Sequence, residues 1–152
     1  MRIVIAAVGR MRRGAMADLL ATYRGRIVWP FDLREVQGRR GTPPGGLKAA
    51  EAALLLQALP ESGPIVALDE RGDDVSSHAF AEMLSSWRDS GQPACGFAIG
   101  GADGLDEIVR RRAARVIRFG RQTWPHMLAR VMLVEQIYRA QQIISGHPYH
   151  RE

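Results

Sequence analysis

The residues best suited to chemistry stand in the last third of the chain. Gly100, Gly101 and Gly104 follow an apolar stretch and precede a helical pattern. Glycines at such a turn let a ligand approach the backbone, and a helix N-terminus offers free amide groups. The same turn is also compatible with a tight connection that binds nothing. Its spacing matches neither the dinucleotide fingerprint nor the P-loop, so binding of NAD or ATP lacks support.

A second segment, Gly120–Pro125, connects a short apolar stretch to a long apolar helical pattern. Pro125 suits the first position of that helix, because its missing amide hydrogen is not needed there. The residues before Pro125 either contact a ligand or only close the connection.

The third segment is the stretch His147–Glu152, which contains two imidazoles, a phenol and a guanidinium. Histidine can accept a proton near neutral pH, and arginine can stabilise developing negative charge. Arg139 stands in the helical pattern before it, four residues after Glu135, a spacing that is also typical of an intrahelical ion pair. The alternative interpretation is that this tail is a polar chain end without a functional role.

Other kinds of site find no support in the sequence. Neither His78 nor His126 has a Cys, Asp or Glu at metal-ligand spacing, so we expect no metal, and His126 is more typical of a packing or capping residue. Cys95 stands alone in an apolar stretch, which indicates a buried structural thiol. The GxSxG motif of serine hydrolases is missing.

Composition indicates one ordinary globular domain, residues 1–152. Hydrophobic residues make up 46% and charged residues 24%, and no apolar run reaches the roughly 18 residues that a membrane span requires. The first ten residues have the pattern of a strand rather than of a cleaved signal peptide, which predicts a cytoplasmic protein.

The net charge is +5, and of 21 basic residues only Lys48 is a lysine. Arginine pairs with phosphates and stacks on bases, so RNA is a suitable partner, although solubility explains the charge equally well.

Short apolar strands alternate with longer helical patterns, which predicts an α/β sheet covered by helices. A flexible loop is predicted over Gln37–Gly46, which contains four glycines and two prolines. The predicted strands are Arg2–Val8, Ile27–Val36, Ile65–Asp69, Ala94–Ile99 and Val116–Phe119. The predicted helices are Gly14–Gly25, Leu47–Leu59, one capped by Ser76 or Ser77, Leu105–Ala114 and His126–Ile144.

The last helix is apolar around most of its circumference, from Met127 to Ala140. Such a helix is buried on more than one side. We therefore expect a homodimer in which one side faces a second subunit, the alternative being a central helix of a monomer.

Together these segments resemble the RlmH family of SPOUT methyltransferases. Two further stretches fall where that family has them, namely Ile3–Gly9 and Leu68–Gly72 with the serines that follow. The resemblance implies an S-adenosylmethionine-dependent enzyme that methylates N3 of a pseudouridine in large-subunit (23S) ribosomal RNA, acting on the assembled ribosome. It also implies a SPOUT-type, mostly parallel sheet flanked by helices, a C-terminal trefoil knot and a homodimer. The knot, which no local pattern would propose, would bring the turns after Leu68, after Ile99 and at Gly120–Pro125 into one pocket.

The resemblance also assigns residues. Arg121 departs from the family, where small or apolar residues are more usual, so its guanidinium is a candidate to face RNA instead. The implied cofactor-binding residues are Leu68, Gly101, Gly120, Arg121, Gln122, Thr123, Trp124 and Pro125. The implied catalytic residues are Arg139, Tyr149, His150 and Arg151.

The resemblance implies that the C-terminal tail reaches an active site shared with the partner subunit. Two ways of handling the N3 proton stay open. Either His150 accepts the N3 proton, or Arg139 and Arg151 stabilise negative charge on the flanking oxygens. Tyr149 would stack on or orient the base. Arg110–Arg112, with Arg115 and Arg118, form either a solvated face or a contact to rRNA phosphates.

The sequence is also compatible with two other functions. One is another SPOUT RNA methyltransferase with a different base or ribose target. The other is a non-catalytic RNA-binding module for ribosome assembly, in which the glycine turns are structural only.

Overall fold

The computed structural model describes residues 1–38 and 46–149. Most of the predicted loop Gln37–Gly46 and the end of the tail therefore lie outside the described residues. Within the described ranges, strands and helices alternate along the chain, which confirms the predicted α/β class. The elements are β1 (Arg2–Val8), α1 (Ala15–Arg24), β2 (Phe31–Val36), α2 (Gly46–Ala58), β3 (Ile65–Asp74), α3 (Ser77–Asp89), β4 (Ala94–Ile99), α4 (Glu107–Arg112), β5 (Arg115–Arg118) and α5 (His126–Ile144).

Three elements differ from their predicted bounds by more than one residue at an end, each for a local reason. β2 starts at Phe31 rather than Ile27, because the preceding segment packs on α5, where the Val28 amide donates to the side chain of Gln141 at 2.8 Å. β3 continues to Asp74 instead of ending at Asp69, because it resumes pairing with β5 after an irregularity. α4 covers only Glu107–Arg112, since Asp106 caps its first turn and Ala113 is already extended.

The five strands form one parallel sheet in the order β2-β1-β4-β3-β5. Side chains alternate across β1, so that Ile3 and Ile5 join one core cluster and Ala6 and Val8 the other. Buried residues of α1, α3 and α5 belong to the first cluster, and those of α2 and α4 to the second. The molecule is therefore a three-layer sandwich with helices on both faces of the sheet.

α5 packs between α1 and α3 on the first face. Its buried residues include Val131, Leu133, Val134 and Ile137. Two neighbouring helices and the sheet thus account for much of its apolar circumference within one chain. Among the described residues, no helix is long and apolar enough to cross a membrane.

Candidate functional site

A cavity of about 300 Å³ opens at the carboxyl ends of β3, β4 and β5. In parallel α/β sheets, loops at this edge are where ligands bind. The turns after Leu68, after Ile99 and around Gly120 all line it, so these three segments meet as expected. The principal lining residues are Lys48, Leu68, Asp69, Ile99, Gly100, Gly101, Asp103, Gly104, Leu105, Arg110, Ile117, Phe119, Gly120, Gln122, Thr123, Trp124 and His126.

The glycine turn after β4 folds tightly onto itself. The Gly104 amide donates to the Gly101 carbonyl at 3.1 Å, and a Cβ on Gly100 would lie 2.7 Å from the carbonyl carbon of Gly104. Behind Gly101, a Cβ would lie 3.0 Å from Cγ1 of Val8 at the end of β1. Only glycine fits at positions 100 and 101 between these neighbours, so backbone groups line the cavity there.

The loop between β5 and α5 forms a second wall. Gly120 adopts a φ of +81°, which glycine tolerates and other residues rarely adopt. The Trp124 indole Nε1 donates to the Phe119 carbonyl at 2.7 Å and so closes the loop onto its own start. Gln122 and Thr123 line the cavity beside Trp124.

Two residues of the predicted cofactor set do not line the cavity. Arg121 is exposed, and its charge, after the hydrogen bond from Arg118, helps to hold the pKa of Asp74 below its usual value. Pro125 occupies the N-cap position of α5 rather than the first helical position, so that its carbonyl accepts the amide of Ala129. The helix itself spans His126–Ile144, as predicted, and Pro125 precedes its first residue.

An ion pair ties two of the cavity's turns together. Asp69 follows the first part of β3, and Arg110 lies on α4 after the glycine turn. Arg110 Nη1 lies 3.1 Å from Asp69 Oδ2 and also donates to the Leu105 carbonyl. Both side chains are largely buried, with 12% and 6% of their surface exposed. The pair holds the glycine turn against the part of β3 that ends at Leu68, whose side chain forms an apolar wall of the cavity.

His126 begins α5 and lines the cavity, where the sequence had suggested only packing or capping. Burial, and then the nearby charge of Arg130, lower the pKa of His126 below its usual 6.5. A neutral imidazole at pH 7 can donate and accept one hydrogen bond each.

Arg130 is the largest fully buried side chain of the described residues, and sequence reasoning did not single it out. Its Nη1 lies 2.6 Å from Glu35 Oε1 on β2, and its Nη2 donates to the carbonyls of Val8 and Gly9 at 3.0 Å each. Burial is the main cause that lowers its pKa, and Glu35 opposes that shift. A charged residue inside the apolar run Met127–Val134 was the available signal, because a buried arginine needs a partner.

The tail and α5 form a second polar cluster. Arg139 donates to Glu135 Oε1 through Nε at 3.0 Å and Nη2 at 2.7 Å, which confirms the intrahelical pair. The Tyr149 hydroxyl donates to the same oxygen at 3.3 Å, and its ring lies edge-on to Tyr138 with centroids 4.7 Å apart. Burial raises the pKa of Tyr149 to about 12. The phenol is therefore protonated at neutral pH and acts as a donor rather than a base.

Within one chain this cluster is remote from the cavity. Arg139 follows His126 by thirteen residues on one helix, which is roughly 20 Å along the helix axis at 1.5 Å per residue. Arg139 and Tyr149 do not line the cavity. His150 and Arg151, the other two predicted catalytic residues, lie outside the described residues.

The basic run on α4 and β5 divides into paired and remote residues. Arg110 is bound to Asp69 and Glu107, and Arg118 lies 2.7 Å from Asp74. Arg112 ends α4 and Arg115 begins β5, so both lie at the opposite edge of the sheet from the cavity. Arg110 and Arg118 line the cavity and the other two do not, so these arginines do not form one continuous face beside it. A contact of the run to rRNA phosphates stays a prediction.

A wider groove of about 610 Å³ lies along α5, between α1 and α3, and adjoins the cavity, with which it shares Ile117, Arg118, Phe119 and Gly120. Leu128, Val131 and Met132 of α5 contribute to it, opposite Leu19 of α1, which is 46% exposed. An open apolar groove of this kind is typical of a surface that binds another protein.

Among residues 1–38 and 46–149, no group of three or more His, Cys, Asp or Glu side chains could hold a metal ion.

Comparison with known proteins gives concordant results. A family model described as "Predicted SPOUT methyltransferase" matches residues 1–150. A protein of Rhodospirillum centenum named "Ribosomal RNA large subunit methyltransferase H" is 56% identical over 151 residues, covering 99% of both chains. The protein of the same name from Paramagnetospirillum magneticum is 51% identical with equal coverage.

Solved structures share the fold at low sequence identity. A probable methylase family protein from Haemophilus influenzae superposes with a TM-score of 0.59 at 9% identity, over 99% of this chain and 70% of that one. A Legionella pneumophila protein solved with the bound cofactor SAM gives a TM-score of 0.50 at 10% identity, over 92% of this chain and 66% of that one.

Proposed function

Because the chain belongs to the SPOUT methyltransferase family, we propose that it transfers a methyl group from S-adenosylmethionine to N3 of a pseudouridine in large-subunit ribosomal RNA. The relatives that match it over nearly their whole length carry the name of a ribosomal RNA large subunit methyltransferase. The observation that carries the proposal is the cavity at the carboxyl ends of β3, β4 and β5, where three turns meet.

The residues of this cavity fit S-adenosylmethionine. A volume of about 300 Å³ lies at the lower end of the range for small-molecule sites. Leu68, Ile99 and Ile117 offer apolar surface for an adenine ring, and the glycine turn and the loop before α5 offer backbone amides and carbonyls. In this proposal Leu68, Gly101, Gly120, Gln122, Thr123 and Trp124 hold the cofactor, while Arg121 and Pro125 act from outside the cavity.

When bound, the cofactor supplies a methyl group already activated on a sulfonium. The protein must then align the acceptor nitrogen with that methyl and help the N3 proton to leave. The hydroxyl of Tyr149 donates to Glu135, so the aromatic ring of Tyr149 is the part suited to stack on the base and orient it. The hydrogen bond to Glu135 raises the pKa of Arg139, so its guanidinium stays charged and is suited to stabilise negative charge on the pseudouridine oxygens. His150 and Arg151 remain the alternative proton acceptor and second cation.

The proposal includes a homodimer, in which one subunit supplies Arg139 and Tyr149 to the cavity of the other. Its support is the roughly 20 Å along α5 that separates Arg139 from His126 in a single chain. The apolar groove beside α5 offers a surface for the second subunit. A C-terminal trefoil knot and a cytoplasmic location on the assembled ribosome belong to the same proposal, on the strength of family membership.

The test is methyl transfer from labelled S-adenosylmethionine to unmethylated ribosomes, isolated subunits and stripped rRNA in parallel, with mass mapping of the product. Label on N3 of a large-subunit pseudouridine is the expected result. Label on another base or on a ribose would retain a methyltransferase and reassign its target. No label from folded protein, together with no calorimetric binding of S-adenosylhomocysteine, would favour a non-catalytic RNA-binding module.

A further inference from the structure

The loop after β1 carries three arginines that the site described above does not use. Arg10, Arg12 and Arg13 are exposed, and within the described parts of the chain none of them forms an ion pair. They differ in this from Arg110, Arg118 and Arg139, whose guanidiniums are bound to carboxylates. Three unpaired cations in four residues form a strong local positive charge.

The loop is anchored rather than merely exposed. Met11, in its middle, donates its amide to Glu35 Oε1 at 2.7 Å. The same carboxylate oxygen lies 2.6 Å from Nη1 of the buried Arg130. Arg130 in turn binds the carbonyls of Val8 and Gly9, where the loop begins. The buried guanidinium of Arg130 thus holds the start of the arginine loop directly and its middle through Glu35.

This anchor places the loop beside the cavity. A Cβ on Gly9 would lie 3.4 Å from Nε2 of His126, and Val8 packs behind Gly101. His126 and Gly101 both line the cavity. Since β1 runs parallel to β4, the loop leaves the sheet at the same edge as the glycine turn.

We propose that Arg10, Arg12 and Arg13 bind phosphates of the substrate RNA and so guide the target nucleotide to the cavity. This inference rests on the proposed function and adds to it the surface that recognises the RNA backbone. Arginine is suited to this role, because its planar guanidinium matches two phosphate oxygens. The contact carries no sequence information, which is consistent with a positioning role.

The test compares two variants that each remove three positive charges. R10Q/R12Q/R13Q changes the loop. R111Q/R112Q/R115Q changes the exposed arginines of α4 and β5, which do not line the cavity and of which Arg111 lies 3.2 Å from Glu107. Binding to unmethylated large-subunit rRNA is measured by fluorescence between about 50 and 200 mM salt. The loop variant is expected to bind at least tenfold more weakly and to lose about two from the slope of log K against log salt. The control should change affinity less than threefold.

Glu35 tests the anchor separately from charge. E35A and E35Q both raise the net charge by one, so simple electrostatics predicts equal or tighter binding for both. E35Q keeps an acceptor oxygen for Met11 and Arg130, and its RNA affinity should stay near that of the wild type. E35A removes the anchor and should weaken RNA binding, provided that its circular dichroism shows a folded chain. Since R10Q/R12Q/R13Q changes only exposed side chains, the proposal stays testable if E35A fails to fold.

Calorimetry with S-adenosylhomocysteine separates failure of this inference from failure of the proposed function. Unchanged cofactor binding with reduced RNA binding in the loop variant supports the inference. Equal losses in the loop variant and in the control would overturn it, because only total charge would then matter. If the loop variant kept its RNA affinity but methylated ribosomes less, the inference would also be overturned. The loop would then contact a ribosomal protein rather than RNA. A wild-type chain that binds cofactor but no RNA would overturn both proposals.

Discussion

Single side chains decide the electrostatics of the cavity. His126 enters it from the first residue of α5, near the buried charge of Arg130 and at a helix end that disfavours a cation. Trp124 crosses the loop on the opposite side and holds it by one hydrogen bond. Both residues stand in the segment Gly120–His126, which the sequence singled out as a candidate site but whose individual contacts it did not reveal.

His126 should titrate below its usual pKa of 6.5. Because the folded-state pKa is lowered, the contribution of His126 to stability is complete above pH 6.5 and declines as pH falls through the folded pKa. Proton NMR of the wild type, with the His126→Gln spectrum for assignment, measures this directly. A His126 pKa at or above 6.5 would contradict the placement of the ring. The variant should also lose less thermal stability than the wild type between pH 7 and pH 5.

Trp124→Phe should weaken binding of S-adenosylhomocysteine about fivefold, because one net hydrogen bond is worth about 1 kcal/mol. The substitution keeps an aromatic ring in the cavity and removes only the donor to the Phe119 carbonyl. Calorimetry gives the dissociation constant. Trp87→Phe, on α3, is the matched control and should bind as the wild type does. Equal affinities for Trp124→Phe and wild type would show that the indole hydrogen bond does not shape the site.

At the scale of elements, the site depends on how β3 and β5 pair. The pairing shifts between Leu68 and Asp73, so residues 69–72 leave the regular ladder. Asp69 thereby faces Arg110 at the cavity, and Gly72 packs directly on the backbone of Ile117. The irregularity in β3 thus supplies one wall of the cavity while β3 and β5 stay joined beyond it.

Gly72→Ala should destabilise the fold by about 1–3 kcal/mol, because a Cβ there would lie 2.6 Å from the Ile117 backbone. The strands must separate to admit a methyl group. Denaturant unfolding measures the change in free energy of unfolding. Gly25→Ala, at the exposed end of α1 with an ordinary helical φ of −63°, is the control and should shift stability by less than about 0.5 kcal/mol. A similar small shift for Gly72→Ala would show that β3 and β5 are not so closely packed.

At the scale of the whole molecule, the cavity and the Arg139 cluster lie near opposite ends of α5. A single chain therefore holds two incomplete parts of the proposed active site. A twofold arrangement of two chains can complete two sites at once, because each surface is used reciprocally.

Subunit complementation tests this arrangement. Gly101→Val displaces the glycine turn that lines the cavity, because its side chain would collide with Val8, and Arg139→Ala removes the cation. Each variant alone should lack methyl transfer activity. Random reassortment of the two should restore about a quarter of wild-type activity, since half of the dimers are mixed and each has one intact site. Zero recovery after demonstrated subunit exchange would place the whole site within one chain. A monomer mass in ultracentrifugation at micromolar concentration would contradict the dimer itself.

The sequence by itself determined the alternation of strands and helices, the bounds of β1, β4 and α5, and the turns that carry glycine. These features depend on apolar periodicity and on residues such as Ser76 and Pro125, whose effects reach only a few neighbours. The meeting of the three turns came from family resemblance and not from any local pattern. The prediction that Cys95 is a buried thiol is confirmed, because its side chain is fully buried and burial raises its pKa.

Only the tertiary structure decided which charges are paired and which are free. Arg130 and Glu35 are 95 residues apart in sequence, and Arg110 and Asp69 are 41 apart. Sequence patterns treat all arginines alike, because an ion pair depends on where the fold brings two side chains together. The fold brings Arg110 and Arg118 to carboxylates and places Arg112 and Arg115 at the edge of the sheet opposite the cavity. Among the described residues it leaves Arg10, Arg12 and Arg13 unpaired beside the cavity.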